Sequence, residues 1–178
     1  MAENFDTYDA LLARLRTLIV ERGPRIIGIE GHTLAGKSII SEILAEDLNA
    51  GCISTDDPAF ASVYSGGSRT PPEDTPYVEC LDLEHLGTEI RKALSSRAIV
   101  IVVGICLRDV LERIGHQADI VIYVKVVSRY SGVWHDKIQL EDYEAGREQV
   151  CRPHRDAFDY HGRVRPHEKA DLTLTRTE

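Results

Sequence analysis

Short apolar runs alternate along the chain with segments in which apolar residues recur every three or four positions. The runs predict buried strands, and they cover residues 25–30, 52–54, 98–103, 120–127 and 170–175. The periodic segments predict amphipathic helices, and they cover residues 5–20, 37–48, 81–95 and 107–114. This alternation indicates an α/β fold in which helices cover both faces of a parallel sheet.

Two segments depart from this alternation. Residues 55–75 are rich in Gly, Ser, Thr and Pro, which predicts a long loop. Residues 128–160 are strongly charged and predict a mostly helical, solvated segment. Because no repeat, low-complexity tract or linker divides the chain, we expect a single domain over residues 1–178.

Composition narrows the class of protein. The 178 residues are 43% hydrophobic, enough for one sizeable core, and no apolar run approaches the roughly 20 residues of a membrane span. The formal charge is -8, which disfavours nucleic acid as a partner. The acidic N-terminus does not resemble a secretory signal, and the four cysteines form no C-x-x-C pair, so we expect a cytoplasmic protein with reduced thiols and no membrane partner.

A phosphate-binding motif follows the first predicted strand and opens a predicted helix. It matches G-x-x-x-x-G-K-[ST] at every position: Gly31, His32, Thr33, Leu34, Ala35, Gly36, Lys37 and Ser38. Backbone N–H groups of such a loop and the positive end of the next helix surround phosphate oxygens. We expect Lys37 to reach the β- and γ-phosphates of a nucleotide and the Ser38 hydroxyl to bind Mg²⁺.

Two carboxylates, Asp56 and Asp57, come directly after the second predicted strand. Ligands of open α/β sheets bind at the carboxyl ends of the strands, so a carboxylate here is placed to act on a ligand. Asp56 is our candidate to accept the proton of a substrate hydroxyl or to orient Mg²⁺, and Asp57 could contact the substrate. The other interpretation is a turn or helix-cap carboxylate next to Pro58, a role that Asp often has.

Five strings along the chain resemble the uridine kinase and pantothenate kinase group of P-loop kinases: IIGIEGHTLAGKS, STDDPAF, IVIVVGICL, ADIVIYVKV and RPHEKADLTL. The resemblance implies a three-layer P-loop NTPase fold with a five-stranded parallel sheet, a helical lid, and ATP with Mg²⁺ as phosphoryl donor. It also makes Asp56 the match of the family's catalytic aspartate. Residues 166–171 resemble the stretch beside the adenine, and we place Thr173, on the closing strand, in the nucleotide site as well.

The chain departs from the family pattern at the end of the third predicted strand. Family members usually carry Glu-Gly there, and the Glu assists magnesium, whereas this chain has Val103-Gly104. Either Asp57 or Glu30 replaces that carboxylate, or Mg²⁺ depends on Ser38, water and ATP, or the protein binds ATP and catalyses poorly. Glu30 is itself unusual, because a carboxylate beside an anion site needs a cation or a substrate group to offset its charge.

Arginines on a lid usually neutralise the transferred phosphoryl group in this architecture. The lid region, residues 128–165 between the nucleotide-binding core (25–127) and the closing strand (166–178), contains Arg129, Arg147, Arg152 and Arg155. Arg129 is our candidate for catalysis because it follows its strand most closely, and Arg152 and Arg155 are candidates for the substrate. For any one of them, an ordinary solvated position is the alternative.

The acceptor pocket should come from the long loop and the helix after it. Side chains able to stack on or pair with an acceptor there are Phe60, Tyr64, Arg69 and Tyr77. Each of them could instead cover a small core of the loop itself.

These features predict an ATP-dependent kinase that phosphorylates a hydroxyl of a small molecule, such as a nucleoside, vitamin precursor, sugar or specialised metabolite. The alternative is a non-catalytic or regulatory ATP-binding module, which the missing Glu at position 103 favours. A GTPase switch is disfavoured because the chain has no N-K-x-D segment. The apolar stripe of the first helix, predicted within residues 1–22, could serve a homodimer interface as well as a core.

Overall fold

The computed structural model describes residues 2–61, 75–147, 149–151 and 154–178. Strands and helices alternate along these ranges. The strands are β1 (Glu3–Phe5), β2 (Ile26–Gly31), β3 (Gly51–Ser54), β4 (Val100–Val103), β5 (Ile120–Val127) and β6 (Leu172–Thr177). The helices are α1 (Tyr8–Arg22), α2 (Lys37–Leu48), α3 (Leu83–Ser96), α4 (Leu107–Arg113), α5 (His135–Glu144), α6 (His154–Val164) and α7 (Pro166–Lys169). The described residues between β3 and α3 include two short 3-10 helices, Pro58–Phe60 and Tyr77–Cys80.

The strands form one sheet in the order β1-β6-β5-β2-β4-β3, and every neighbouring pair is parallel. The predicted parallel sheet is confirmed, but the predicted number of five strands is wrong because the described residues form six. The extra strand is β1, in which Glu3 pairs with Leu172 of β6. Three residues are too short for a hydrophobic pattern, and their partner lies at the other end of the chain, so no local signal predicts this strand.

The N-terminal helix begins later than the predicted segment 5–20, and it fills only part of the N-terminal range 1–22, because residues 3–5 belong to the sheet. Helix α1 begins at Tyr8, where the side chain of Thr7 accepts a hydrogen bond from the Ala10 N–H at 3.4 Å. Ser, Thr and Asp side chains commonly satisfy the free N–H groups at the first turn of a helix in this way. The helix ends at Gly23, whose φ of 60° is the left-handed conformation typical of a helix C-terminus.

Helices cover both faces of the sheet, as predicted. On one face, α1 and α2 pack leucines such as Leu15 and Leu44 against Ile27 and Ile122. On the other face, α3 and α4 pack against β2 and β4, and α5 and α6 cover β5 with an aromatic cluster. The leucine stripe of α1 is therefore used in the core of this chain, and a homodimer remains a prediction.

The charged segment over residues 128–160 is helical in part, but it is not solvated throughout as predicted. Helix α6 buries Phe158 and Tyr160, and Phe158 belongs to the same buried cluster as Tyr123 of β5. Charged residues on the outer face of α6 hide this apolar stripe from a reading of composition. None of the helices in the described ranges is both long and apolar enough to cross a bilayer.

Replacing Leu15 by alanine should destabilise the fold strongly. Leu15 is fully buried between α1 and the sheet, so Leu15→Ala removes apolar contacts and leaves a cavity. We expect the free energy of unfolding, measured by urea titration, to fall by about 2–5 kcal/mol. Val20→Ala is the matched control, because Val20 is 87% exposed on the same helix and should change stability by less than about 0.5 kcal/mol. Equal effects of the two variants would contradict the packing of α1 described above.

Candidate functional site

The phosphate-binding motif lies where the sequence predicts it, in the turn from β2 into α2. Gly31 ends β2 beside Val124 of β5, and Lys37 is the first residue of α2. Leu34 and Gly36 have positive φ angles of 66° and 84°, so the backbone turns tightly before the helix begins. The side chain of Leu34 is 92% exposed, in keeping with a motif position that requires no particular side chain. The strand, loop and helix thus have the arrangement of a phosphate-binding loop.

The ammonium group of Lys37 is buried within this loop. Its Nζ donates a hydrogen bond to the His32 carbonyl at 2.8 Å, and the residue is only 7% exposed. Burial lowers the pKa of Lys37, and the negative charges of Asp56 and Asp136 oppose that shift. A buried cation with donors to spare is well suited to an anionic ligand, so this observation fits the triphosphate of a nucleotide.

A cavity of about 790 Å³ opens on one side of the loop. Its size is within the range of small-molecule sites. Residues of the phosphate-binding motif and the two predicted aspartates line this cavity together with a tyrosine and a histidine. The lining includes Thr33, Lys37, Ser38, Asp56, Asp57, Tyr77 and His154. We call this the first cavity.

Asp56 is held by a hydrogen bond from Tyr77. The Tyr77 hydroxyl donates to Asp56 Oδ1 at 2.6 Å, and Thr55 Oγ1 lies 3.0 Å from the same hydroxyl. Thr55 is fully buried, and its backbone N–H donates to the Val103 carbonyl at 2.8 Å. Burial raises the pKa of Tyr77, and the charge of Asp56 raises it further, so this hydroxyl keeps its proton. The carboxylate therefore has a fixed orientation in the cavity.

Gly104 makes this arrangement possible. A Cβ atom on Gly104 would lie 1.8 Å from Thr55 Oγ1, so the close approach of the two strand ends excludes any side chain there. The family's Glu-Gly pair is Val103-Gly104 in this chain, and Val103 is buried in the core. Where the family has a carboxylate beside the glycine, this chain has an apolar residue that packs with α2.

Glu30 is not available to replace that carboxylate. Arg108 Nε donates to its Oε1 at 3.0 Å and the Tyr160 hydroxyl donates to its Oε2 at 2.6 Å. Glu30 is 2% exposed and lines neither of the two cavities described here. Burial raises the pKa of Glu30, and the bonds from Tyr160 and Arg108 oppose that rise. Arg108 is thus the cation that offsets the charge of Glu30 beside the anion site.

A second cavity, of about 820 Å³, lies on the other side of the loop. It is bounded by the loop, the end of β5, helices α5 and α6, and the last residue of the chain. The lining includes His32, Thr33, Ala35, Val126, Ser128, Trp134, Asp136, His154 and Glu178. No residue of the 166–171 segment lines either cavity, so its proposed place beside the adenine stays a prediction.

The side chain of His32 connects the loop to the lid helices. Its Nδ1 lies 3.4 Å from Asp136 Oδ1 of α5, and its ring contacts those of Phe158 and His161 of α6 at centroid distances of 4.8 and 5.2 Å. Burial lowers the pKa of His32, against the raising effect of Asp136. Sequence reasoning placed His32 in the nucleotide site but missed this packing, because the motif leaves the position open.

The described arginines of the lid region do not line either cavity. Arg129 is exposed and its backbone N–H donates to the Glu178 carbonyl at 2.7 Å. Arg147 is exposed and pairs with Asp142, and Arg155 Nε donates to the Val150 carbonyl. Arg129 and Arg147 thus have the solvated positions that are the alternative to a role in the site, whereas Arg155 is partly buried.

The remaining predicted site residues have different positions. Asp57 lines the first cavity, and its Oδ1 also accepts a hydrogen bond from the Ala59 N–H at 2.9 Å, the cap role that was the alternative. Phe60 packs against the ring of His85 and lines neither cavity. Thr173 is buried in β6 and also lines neither. The other predicted contacts, Tyr64, Arg69 and Arg152, lie outside the described residues.

Arg176 and His154 are among the residues at the site that were not predicted. Arg176, near the end of β6, donates from Nη1 to the Ala35 carbonyl of the loop at 2.8 Å. His154, the first residue of α6, lines both cavities. For Arg176 a signal existed, because the carboxyl ends of parallel strands meet at one edge of the sheet, and Arg176 lies at such an end. No spacing in the sequence singles out His154.

Within the described ranges, no group of three or more His, Cys, Asp or Glu side chains is arranged to hold a metal ion. Ser38 and Asp56 nevertheless line the same cavity beside the phosphate-binding loop. A hard cation such as Mg²⁺ commonly takes one or two protein oxygens together with phosphate oxygens and water. The protein groups present therefore fit Mg²⁺ only as a companion of a bound nucleotide.

Comparisons with solved structures show the fold. The chain is similar to a possible uridine kinase from Bacillus stearothermophilus, with a TM-score of 0.59, 16% identity, and coverage of 93% of this chain and 98% of that one. A shikimate kinase from Acinetobacter baumannii in complex with shikimate matches with a TM-score of 0.43 and 21% identity over 89% of this chain and 86% of that one. No protein-family model and no curated protein sequence matches the chain. The resemblance to P-loop kinases of the uridine kinase group is thus confirmed at the level of fold.

Replacing Gly104 by alanine should break the support of Asp56. The new methyl group has no room beside Thr55 Oγ1, so Thr55 must move and lose its contact with Tyr77. We expect Gly104→Ala to lower the free energy of unfolding by about 1–3 kcal/mol in urea titrations. Gly51→Ala in β3 is the control, because its nearest neighbour would be an ordinary contact at 3.6 Å. A Gly104→Ala variant as stable as the control would show that the Thr55 packing is not tight.

Proposed function

We propose that this chain is an ATP-dependent kinase that transfers the γ-phosphoryl group to a hydroxyl of a small molecule. The observation that supports this proposal best is the meeting of Lys37, Ser38 and Asp56 in one cavity. A cation for the phosphates, a hydroxyl for Mg²⁺ and a carboxylate for the acceptor are the parts that phosphoryl transfer to an alcohol requires. The likeness in fold to a possible uridine kinase agrees with this activity class.

The two cavities suggest where the reactants bind. An acceptor hydroxyl must reach Asp56, so we assign the acceptor to the first cavity. The loop itself would hold the triphosphate, which leaves the second cavity, across the loop, for the nucleoside of ATP. Trp134 and the aliphatic side chain of Val126 in that cavity offer surfaces for a base.

The chemistry follows from the contacts of Asp56. Tyr77 occupies one carboxylate oxygen, and we assign the other to the acceptor hydroxyl. As the acceptor oxygen bonds to the γ-phosphorus, its proton passes to Asp56 and the bond to the β–γ bridging oxygen breaks, which releases ADP. Lys37 contributes positive charge to the oxygens on which negative charge develops. Mg²⁺ would be held by Ser38, with Asp56 reaching it through a water molecule, and would supply positive charge to the phosphates.

A non-catalytic or regulatory ATP-binding module is the second candidate. In the described part of the chain, Asp56 and Asp57 are the carboxylates that line the first cavity, and Val103 provides none. The described lid arginines also lie away from both cavities. A protein of this second class would bind ATP but would transfer no phosphoryl group to any of a panel of hydroxylated small molecules. Measuring ADP formation from ATP and Mg²⁺ across such a panel separates the two proposals.

Replacing Lys37 by alanine should weaken nucleotide binding. Lys37→Ala removes the buried ammonium from the loop, and with it a charge-assisted contact to the phosphates. We expect the Kd of ATP with Mg²⁺, measured by calorimetry, to rise at least about tenfold. Lys92→Ala is the control, since Lys92 pairs with Glu89 on the exposed face of α3. An unchanged Kd in Lys37→Ala would mean that ATP does not bind in this loop.

Replacing Asp56 by asparagine should separate binding from chemistry. Asp56→Asn keeps the shape of the side chain but cannot accept the proton, so we expect ATP affinity within about threefold and acceptor-dependent turnover lower by about 10²–10⁴. Asp47→Asn is the matched control, because the Tyr8 hydroxyl donates to Asp47 on the surface at the same 2.6 Å distance. Asp57→Asn then tests which of the adjacent carboxylates acts as the base. Full turnover in Asp56→Asn would remove it from that role.

A further inference from the structure

Arg176 contacts the phosphate-binding loop from the end of the last strand. Its Nη1 donates to the Ala35 carbonyl at 2.8 Å, and a Cβ atom on Gly36 would lie only 2.1 Å from the same nitrogen. The guanidinium group thus rests directly on the Ala35–Gly36 peptide. Arg176 pairs in register with Val126 of β5, which brings its side chain to this edge of the sheet.

The contact determines the direction of one amide of the loop. In a planar trans peptide, the carbonyl and the N–H of the same unit point to opposite sides. Since the Ala35 carbonyl accepts from Arg176, the Gly36 N–H of that unit points away from Arg176. Gly36 lines the first cavity together with Lys37 and Ser38, so this amide is placed at the phosphate site.

The loop needs such a restraint because its own backbone is permissive at this position. Gly36 has a φ of 84°, and glycine adopts many other conformations at similar free energy. The carbonyl of a freely rotating peptide unit could face the cavity and repel a phosphate. The guanidinium group of Arg176 is itself held in place, because it is partly buried and lies 3.8 Å from the Glu178 carboxylate.

We propose that Arg176 is a positioning residue for the phosphate-binding loop, which it preorganises for a nucleoside diphosphate by fixing the Ala35–Gly36 peptide. The inference rests on the proposed binding of ATP, but it concerns a different residue and a different step. Loop amides bind the α- and β-phosphates, whereas the γ-phosphate is reached by the lysine and the metal. Preorganisation of Gly36 therefore strengthens ADP and ATP binding by the same factor.

Two other roles for Arg176 make different predictions. A direct contact with the γ-phosphate would strengthen the binding of ATP and leave ADP unaffected. A purely electrostatic attraction would act on both nucleotides but would weaken with salt, because interactions between exposed charges are screened within about 10 Å at 0.1 M ionic strength. A restraint on the backbone is insensitive to salt in comparison.

The test compares Arg176→Met with wild-type protein by calorimetry, using ADP and ATP with Mg²⁺ at 50 and 500 mM NaCl. We expect the Kd of both nucleotides to rise about tenfold, by the same factor at both salt concentrations, because a hydrogen bond to a charged donor is lost. Arg176→Lys should restore part of the affinity, since an ammonium can donate to the Ala35 carbonyl. Arg16→Met is the matched control: Arg16 Nη2 donates to the Asp47 carbonyl at 3.3 Å, at the far end of α2.

Three results would overturn the proposal: an unchanged ADP affinity in Arg176→Met, a loss confined to ATP, or a loss that disappears at high salt. Hydrogen exchange of the peptide that contains residues 31–38 provides a readout without nucleotide. Arg176→Met should exchange faster than wild type there, and Arg16→Met should not. If wild-type protein binds neither nucleotide, the proposed function fails, whereas the exchange comparison still decides whether Arg176 restrains the loop.

Discussion

The buried ammonium of Lys37 is the group around which the site is organised. Removing a charge from water is unfavourable unless polar partners replace its hydration. In this chain the His32 carbonyl replaces one water molecule, and the carboxylates of Asp56 and Asp136 offset the charge from two sides. These partners come from the loop, from the end of β3 and from the lid helix α5. An ammonium so placed keeps donors directed at a cavity, which is why an anion with several oxygens suits it.

The parallel sheet explains why these distant segments meet. The carboxyl ends of β2, β3, β5 and β6 lie at one edge of the sheet. Gly31 ends β2 and Arg176 lies near the end of β6, while Thr55 and Ser128 directly follow β3 and β5. Two further contacts tie the lid to this edge, from Tyr160 to Glu30 and from Asp136 to His32. The loop is therefore supported from both sides by helices as well as by strands. A change in either lid helix would reach the phosphate site through one intervening side chain.

Sequence reasoning predicted the features that local patterns determine. The bounds of α2 and β5 agree with the predicted ranges, because a phosphate motif followed by apolar spacing, and a long run of β-branched residues, are both local signals. It missed β1, which depends on pairing with β6 across nearly the whole chain, and the buried face of α6, which charged neighbours conceal. The sequence did not indicate which lid arginine contacts the site, and it did not indicate Arg176. The direction of a side chain depends on tertiary contacts, which the spacing of residues does not determine. The presence of Asp56 in the cavity was predictable from its strand end, whereas its partner Tyr77 was predicted only to contact a substrate.

The two cavities are separated by little more than the loop, since Thr33, Leu34 and His154 line both. Such a partition lets two small molecules occupy the protein at the same time without sharing space, and it lets their reactive ends meet above Lys37. For the kinase activity proposed above, this geometry favours a ternary complex and direct in-line displacement. A ping-pong route through a phosphorylated side chain does not need two neighbouring cavities, because its two substrates bind to the site one after the other.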